Sequence, residues 1–413
     1  MRPIKSNLCP VCQKQLWMHK SNCPILKRIL LQKEFKPKIK NELFGSTPPS
    51  VIVGEWNYPK VNVGLLLPQE QGNTEIYDAP KEWFKRKYEI EDVFKLRLNL
   101  FNAKKTFFIR NALNPNRCLQ EIQESAASLT PIDAEILFEK KPFFALHFDP
   151  HHPPFGPTGF AKKIEITGNV KIDRKVDRVI SDIDLKAEKA VVELYRQGYD
   201  VYEIAKMLSV GLLGVKIQRK LVPTRWAITA VDSTIIKNLL NIVKRYQEID
   251  QYMLFETNYM GNYFEIIFTP EKWMFEVIEI AVPGADWMLG RKKPIIARDY
   301  EFYEGRKNYA SNVAGGYYAA EIAVLEFLAN IKRQAGVIVL REIRPEYYAP
   351  VGVWKIRECL RDAFKQKPLI FNNLDEIIKR IDERFLVKSN FWKEKSILLN
   401  FIKKQKTIDG FIK

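Results

Sequence analysis

The chain is expected to fold as α+β, with mixed helices and antiparallel hairpins in a multi-part body. Three observations carry this expectation. Well-punctuated amphipathic helices occupy residues 181–243, and a hairpin with a Gly-centred turn follows at 252–268. Beyond it, helices and strands alternate without the regular βαβ rhythm of a doubly wound sheet.

Taken in order, GSTPPSVIVGEWNYPKVNVG carries two short β segments, Val51–Val53 and Val61–Val63, broken by Gly54 and Pro59. From Ile90 to about Ala103 the pattern is helical. Residues 142–159 are too rich in Pro and Gly for a regular element and predict a loop or boundary. Ser181 can cap a helix that runs through Asp184 to about Arg196 and stops at Gly198. Asp200 can cap a second helix, and Pro223 suits the first turn of a long third one. Tyr252–Thr257 and Tyr263–Phe268 form the hairpin around Met260-Gly261-Asn262. Gly315-Gly316 precedes a helix over 317–332, a strand spans Gly336–Leu340, and helices follow at Trp354–Phe364 and Asp375–Phe385. No internal repeat is present.

With 413 residues, 46% of them hydrophobic, the chain can build two or three packed cores. No uncharged apolar run approaches the ~20 residues of a membrane span, and MRPIKSNLCP has no apolar leader region. These features predict a soluble, cytoplasmic protein. The net charge is +17 and is unevenly placed. Residues 1–45 hold ten Lys/Arg against two Asp/Glu, and residues 384–413 hold eight against two. A nearly neutral body between two basic ends predicts a polyanionic partner, nucleic acid above all.

Cys9, Cys12, His19 and Cys23 read C-x2-C-x6-H-x3-C. Thiolates and imidazole in a reducing compartment predict a closed tetrahedral Zn²⁺ site, structural because four protein ligands leave no position for water. This makes residues 1–30 a small zinc module. The body then divides into 31–285 and 286–398, both α+β, with a flexible tail from 399 to 413. Cys118 and Cys359 stand alone and read as core thiols.

Neither a phosphate-binding G-x-x-x-x-G-K-[ST] nor a G-x-G-x-x-G after a strand is present. His147, Asp149, His151 and His152 gather in HFDPHH, but adjacent His residues in a Pro-rich loop are poorly disposed to share one ion. Asp182 and Asp184 are weak candidates for holding Mg²⁺ or Mn²⁺ in a nuclease-like site, and equally suit a helix start. RKLVPTRWAITAVDST is the densest stretch. Arg219, Lys220, Arg225 and Trp226 gather at a helix start, where two arginines can meet phosphates and the indole can stack on a base. The alternative is that the arginines pair with acids and Trp226 is core.

The chain closes on QKTIDGFIK. Gln405, Ile408, Phe411 and Ile412 have the spacing Q-x-x-[aliphatic]-x-x-[aromatic]-[apolar], which puts the apolar groups on one face of a single helical turn. The segment resembles the peptide by which repair and replication proteins bind the sliding clamp PCNA. The longer pattern resembles the archaeal Nre DNA-repair family. It is carried by the Cys cluster running into CPIL, PPSVIVGEWNYPKVNVG, PPFGPTG, KVDRVISDIDLKA, GLLGVKIQRKLVPTRWAITAVDST, GGYYAA and the clamp-like end, in order along the chain. His19 stands where many members have Cys, and Glu55 and Leu65 stand where the family pattern has Arg and Pro. The resemblance implies DNA-damage repair in partnership with PCNA, with an N-terminal zinc module; it implies no secure catalytic mechanism. The expectation is therefore a clamp-recruited DNA-repair factor, with other repair proteins as further partners and no membrane. A metal-dependent nuclease using Asp182 and Asp184 is the alternative, and an RNA- or ribosome-associated zinc protein the weaker one.

Overall fold

The computed structural model describes residues 27, 35, 37–144, 154–285 and 293–404. It is α+β, as expected. The chain divides into two compact units, Leu30–Ile235 and Ile236–Lys413. The division falls well before the 285/286 boundary expected from sequence. The physical reason is hydrogen bonding: strands on both sides of residue 285 share one sheet.

The first unit is built on strands β1 (Glu42–Thr47), β2 (Ser50–Val53), β3 (Lys60–Leu67), β4 (Phe101–Phe108), β5 (Ile132–Phe138) and β6 (Thr158–Ile166), in the order β1-β5-β6-β4-β3-β2. All pairs are antiparallel except β4/β6. Its helices are α1 (Pro80–Lys85), α2 (Ile90–Leu98), α3 (Arg117–Ala127), α4 (Arg174–Ser181), α5 (Ala187–Arg196), α6 (Val201–Ser209) and the first part of α7 (Thr224–Val243), within which the division at Ile235 falls. Strand β5 shows the period-2 pattern, with Ile132, Ala134, Ile136 and Phe138 buried alternately. These side chains share a core with Val61, Val63 and Phe107 of the neighbouring strands and with Leu119, Ile122 and Ala126 of α3. Asn116 caps α3 through the Leu119 amide, and Asp200 with Glu203 forms a reciprocal capping box on α6.

Two expected helices differ here. The pattern from Ile90 ends at Leu98, and Phe101 begins a strand. Gly156 packs into that break: its amide donates to the Leu100 carbonyl at 2.8 Å, and a Cβ there would sit 2.0 Å from the Leu98 oxygen. The helix expected from Ser181 through Asp184 is two helices. Asp182 closes α4, and Lys186 precedes α5.

The second unit carries β7 (Tyr252–Tyr259), β8 (Asn262–Thr269), β9 (Met274–Ala281), β10 (Ile295–Glu301), β11 (Gly336–Ile343) and β12 (Leu369–Phe371), ordered β10-β9-β11-β8-β7-β12. The β7–β8 hairpin turns at Met260 (φ 48°) and Gly261 (φ 68°), the two positive angles that a two-residue hairpin loop requires. Helices α8 (Gly315–Ile331), α9 (Trp354–Ala363), α10 (Leu374–Arg384) and α11 (Ile397–Lys404) cover the sheet. On one face, Leu254, Ile278 and Leu340 pack against Ile377 and Ile381 of α10 and Leu398, Leu399 and Ile402 of α11. On the other, Phe255 and Phe268 meet Phe327 of α8 and Phe364 at the end of α9, with ring centroids 5.1–5.7 Å apart. Burial on both faces explains why every residue of β11 is buried.

Helix α11 changes the expected tail. Part of the segment assigned to it from residue 399 is core. The buried Glu276 carboxylate fixes this helix at its start, accepting from Ser396 Oγ, the Ile397 amide at 2.9 Å and the Leu398 amide at 3.2 Å. Among the described residues, no helix is long and apolar enough to cross a membrane.

Candidate nucleic-acid interface

The segment Gly54–Pro59 links β2 to β3. Asn57 takes a left-handed conformation (φ 64°), which Asn tolerates better than most residues, and its carbonyl accepts from the Lys60 amide at 2.8 Å. The tight turn pushes its side chains outward, and Trp56 is 80% exposed. Beside this loop lies the first turn of α7. Thr224 Oγ1 accepts from the Val53 amide at 2.8 Å, which ties the helix start to the end of β2. That bond sets the position of the next two residues. The Trp226 ring lies 5.2 Å from the Tyr58 ring at 50°, and Arg225 pairs with Glu55 at 3.6 Å. Trp226 stays 45% exposed and Tyr58 42%. The result is a shelf of two aromatic rings, Tyr58 and Trp226, with one guanidinium and one carboxylate, and the exposed Trp56 stands in the turn that carries Tyr58.

Of the four residues singled out from sequence, Arg225 and Trp226 meet on this shelf. Lys220 is exposed. Arg219 does different work: its Nε donates to the Gly214 carbonyl at 2.7 Å, and Nη2 donates to Ile180 at 2.7 Å and Asp182 at 3.1 Å. It clamps the α4–α5 turn to the loop before α7. Burial pulls its pKa below the ordinary arginine value, with Asp182 opposing. Trp56 and Tyr58 were not singled out. The available signal was two aromatics inside a Gly/Asn/Pro turn, where no core has a claim on them.

Asp182 and Asp184 lie in the turn after α4 and not at the helix start expected for them. Asp182 Oδ1 accepts from the Asp184 and Leu185 amides at 3.0 and 2.9 Å, so its carboxylate shapes the turn after α4 and does not start a helix. Among the described residues, no group of three or more His, Cys, Asp or Glu side chains is arranged to hold a metal ion. Cys9, Cys12, His19 and Cys23 lie outside the described residues, as do His147, Asp149, His151 and His152, and Gln405, Ile408, Phe411 and Ile412. Cys118 is partly buried, which raises its thiol pKa, and Cys359 is buried.

In the second unit, several charged groups are buried and engage one another, backbone amides or aromatic rings. An open groove of about 920 Å³ runs beside β10, but its central Asp299 accepts from Arg306 and from the Asn312 and Val313 amides. Glu342 accepts from Arg344 Nε at 2.7 Å and the Val387 amide at 2.8 Å. Arg341 pairs with Glu279, and Lys355 Nζ sits 2.8 Å from the Tyr347 ring centre. Burial, then Arg341, holds Lys355 well below the lysine range. Burial pushes Glu265 up to about 8, although Arg384 lies 3.2 Å away and lowers it. That contact has ion-pair distance without hydrogen-bond geometry.

The profile described as "Archaeal Nre, N-terminal" matches residues 17–288, and "Archaeal Nre, C-terminal" matches 301–411. The DNA repair protein NreA of Archaeoglobus fulgidus is 36% identical over 385 residues, covering 93% of this chain and 95% of that one. The DNA repair protein NreB of the same organism is 36% identical over 391 residues, covering 95% and 96%. The DNA repair protein NreA of Haloferax volcanii is 34% identical over 358 residues, covering 85% of each. No solved structure matches the chain.

Proposed function

The chain belongs to the archaeal Nre family, and from that premise we propose a DNA-repair factor that grips DNA with its aromatic shelf and is recruited by the sliding clamp PCNA. The observation that carries this reading is the half-exposed Tyr58–Trp226 ring pair with Arg225 next to Trp226 in the same helix turn, and Trp56, 80% exposed, in the turn that carries Tyr58. An indole held in water by a tight turn contributes nothing to the core. Exposed rings with a guanidinium in the adjoining helix turn offer a base a stacking surface and its phosphate a charge partner. Full-length relatives named as DNA repair proteins support the same reading.

Two further parts rest on sequence alone. Cys9, Cys12, His19 and Cys23 form a Cys₃His donor set suited to a structural zinc ion. Gln405, Ile408, Phe411 and Ile412 suit one helical turn docked in an apolar groove of the clamp.

The DNA part is tested by fluorescence anisotropy with labelled oligonucleotides. Trp56→Ala should weaken binding about tenfold, the effect of losing one stacked base at ~1–3 kcal/mol. Unchanged affinity in a variant that melts like the wild type would remove the shelf from the interface. The clamp part is tested by calorimetric titration into archaeal PCNA. Micromolar binding, about −8 kcal/mol, should vanish in Gln405→Ala/Phe411→Ala. The zinc part predicts one zinc ion per chain by elemental analysis, lost in Cys9→Ser.

A further inference from the structure

The face of the first sheet opposite its main core is covered at one end, where Leu66 packs with Tyr77 and Leu100, and open to solvent at the other, and its register is informative. Lys60 pairs with Phe108, Asn62 with Thr106 and Gly64 with Lys104 across β3/β4. Lys104 pairs in turn with Phe160 across β4/β6. Ladder partners share a face, so these side chains stand together. Their sequence neighbours Val61, Val63, Ala103 and Phe107 point the other way, into the core. A sheet face left to water is ordinarily polar. This one presents Phe108 at 58% and Phe160 at 43% exposure. Each ring carries a lysine: Lys60 Nζ lies 5.9 Å from the Phe108 ring centre, and Lys104 Nζ lies 4.5 Å from that of Phe160.

We propose that this face is a platform for single-stranded nucleic acid, with bases stacked on Phe108 and Phe160 and phosphates met by Lys60 and Lys104. The proposal deepens the DNA-binding reading and rests on it. Spacing supports it. Phe108 and Lys104 are four residues apart on β4, about 13–14 Å, and Phe160 lies one strand over, about 5 Å. The two rings are therefore about 14 Å apart, close to four stacked nucleotide rises of ~3.4 Å or half as many extended ones.

Between the rings, Asn62 Oδ1 accepts from Thr106 Oγ1 at 2.7 Å, which leaves the Asn62 amide nitrogen to donate outward. Gly64 adds no bulk beside Lys104, and a Cβ there would lie 2.0 Å from Asn102 Oδ1. Strands β3 and β4 contain no acidic residue. Burial pulls the Lys104 ammonium below the ordinary lysine range, a penalty that a bound phosphate relieves. A duplex hides its base faces, whereas aromatic rings on an open sheet suit a strand whose bases are free to stack.

The test uses the full chain and measures anisotropy with a labelled oligothymidine and with a duplex of equal length. The wild type should favour the single strand. Phe108→Ala/Phe160→Ala should lower single-strand affinity at least tenfold and change duplex affinity less than twofold, with unchanged melting. Phe108→Tyr/Phe160→Tyr should retain binding. Lys60→Ala and Lys104→Ala should each reduce the slope of log K against log salt by about 0.7, the value per phosphate on a single strand. If the Ala double variant binds the single strand like the wild type while Trp56→Ala does not, the platform is wrong and the shelf stands. If the wild type binds neither DNA, both readings fall. If light scattering shows a dimer that the double variant alone loses, with DNA affinity unchanged, the face belongs to a second copy of the chain and the proposal is overturned.

Discussion

The two units use the same residue types in opposite ways. In the first, Lys60, Lys104 and Arg225 lie at or near the surface, each beside an exposed aromatic ring or on the Tyr58–Trp226 shelf. In the second, Glu265, Glu276, Glu301 and Glu342 are buried, and Arg341, Lys355 and Arg357 are buried with them. Buried charges are tolerated only where partners replace the water they lose. Glu276 has three donors and Glu342 has two. The comparison teaches that composition alone misplaces the binding charge. Both units expose lysines and arginines, but the described ones that stand beside exposed aromatic rings on the first sheet and its loop combine charge with a stacking surface.

The comparison breaks most sharply if buried charge in the second unit proves dispensable. Glu276→Ala strands three donors at the start of α11 and should cost about 3–4 kcal/mol in urea denaturation, with Glu276→Gln costing less. A variant that unfolds like the wild type would refute the anchoring role.

Glu265 sharpens the contrast through pH. Its folded pKa, about 8, lies above its unfolded value, so the folded state holds a proton that the unfolded state has released. Its contribution is full below the unfolded pKa and is lost as pH rises towards 8, by about 2 kcal/mol between pH 6 and 8. Denaturation curves across that range should steepen this way in the wild type and flatten in Glu265→Gln.

Within the first unit, two arginines six positions apart divide the roles. Arg219→Ala removes hydrogen bonds to three carbonyls and should cost about 2 kcal/mol of stability while leaving DNA affinity unchanged. Arg225→Ala should show the reverse, with affinity lost and melting held. The smallest effect concerns Glu55. Its half-buried, long pair with Arg225 at 3.6 Å is worth about 1 kcal/mol. Glu55→Gln should therefore raise DNA affinity two- to threefold at low salt, as read by anisotropy.

What could be read from sequence was local. The Asp200 cap, the Met260-Gly261 turn and the helix start at Gly315-Gly316 each depend on neighbours a few residues away, and each is found where expected. Strands β1, β5 and β10 were not foreseen. β1 reads ELFGST, which has no clean alternation, and it becomes a strand only through β5, about 90 residues later in the chain. The same limit applied to the site. Arg225 and Trp226 were visible as a pair at a helix start, but Tyr58 reaches Trp226 from far up the chain. The carbonyls that capture Arg219 likewise come from two separate segments.

Strand β11 lies between β8 and β9, antiparallel to one and parallel to the other. On the ribosome, β7 to β10 emerge before the strand that joins them. Until residue 343 has been made, the β7–β8 hairpin and the β9–β10 pair present unpaired inner edges, the surfaces most prone to mispairing with other chains. Folding of this half therefore waits on a contact distant in sequence and should be slow relative to its size. A chain cut short before β11 would carry two sticky halves of a sheet and no means of joining them.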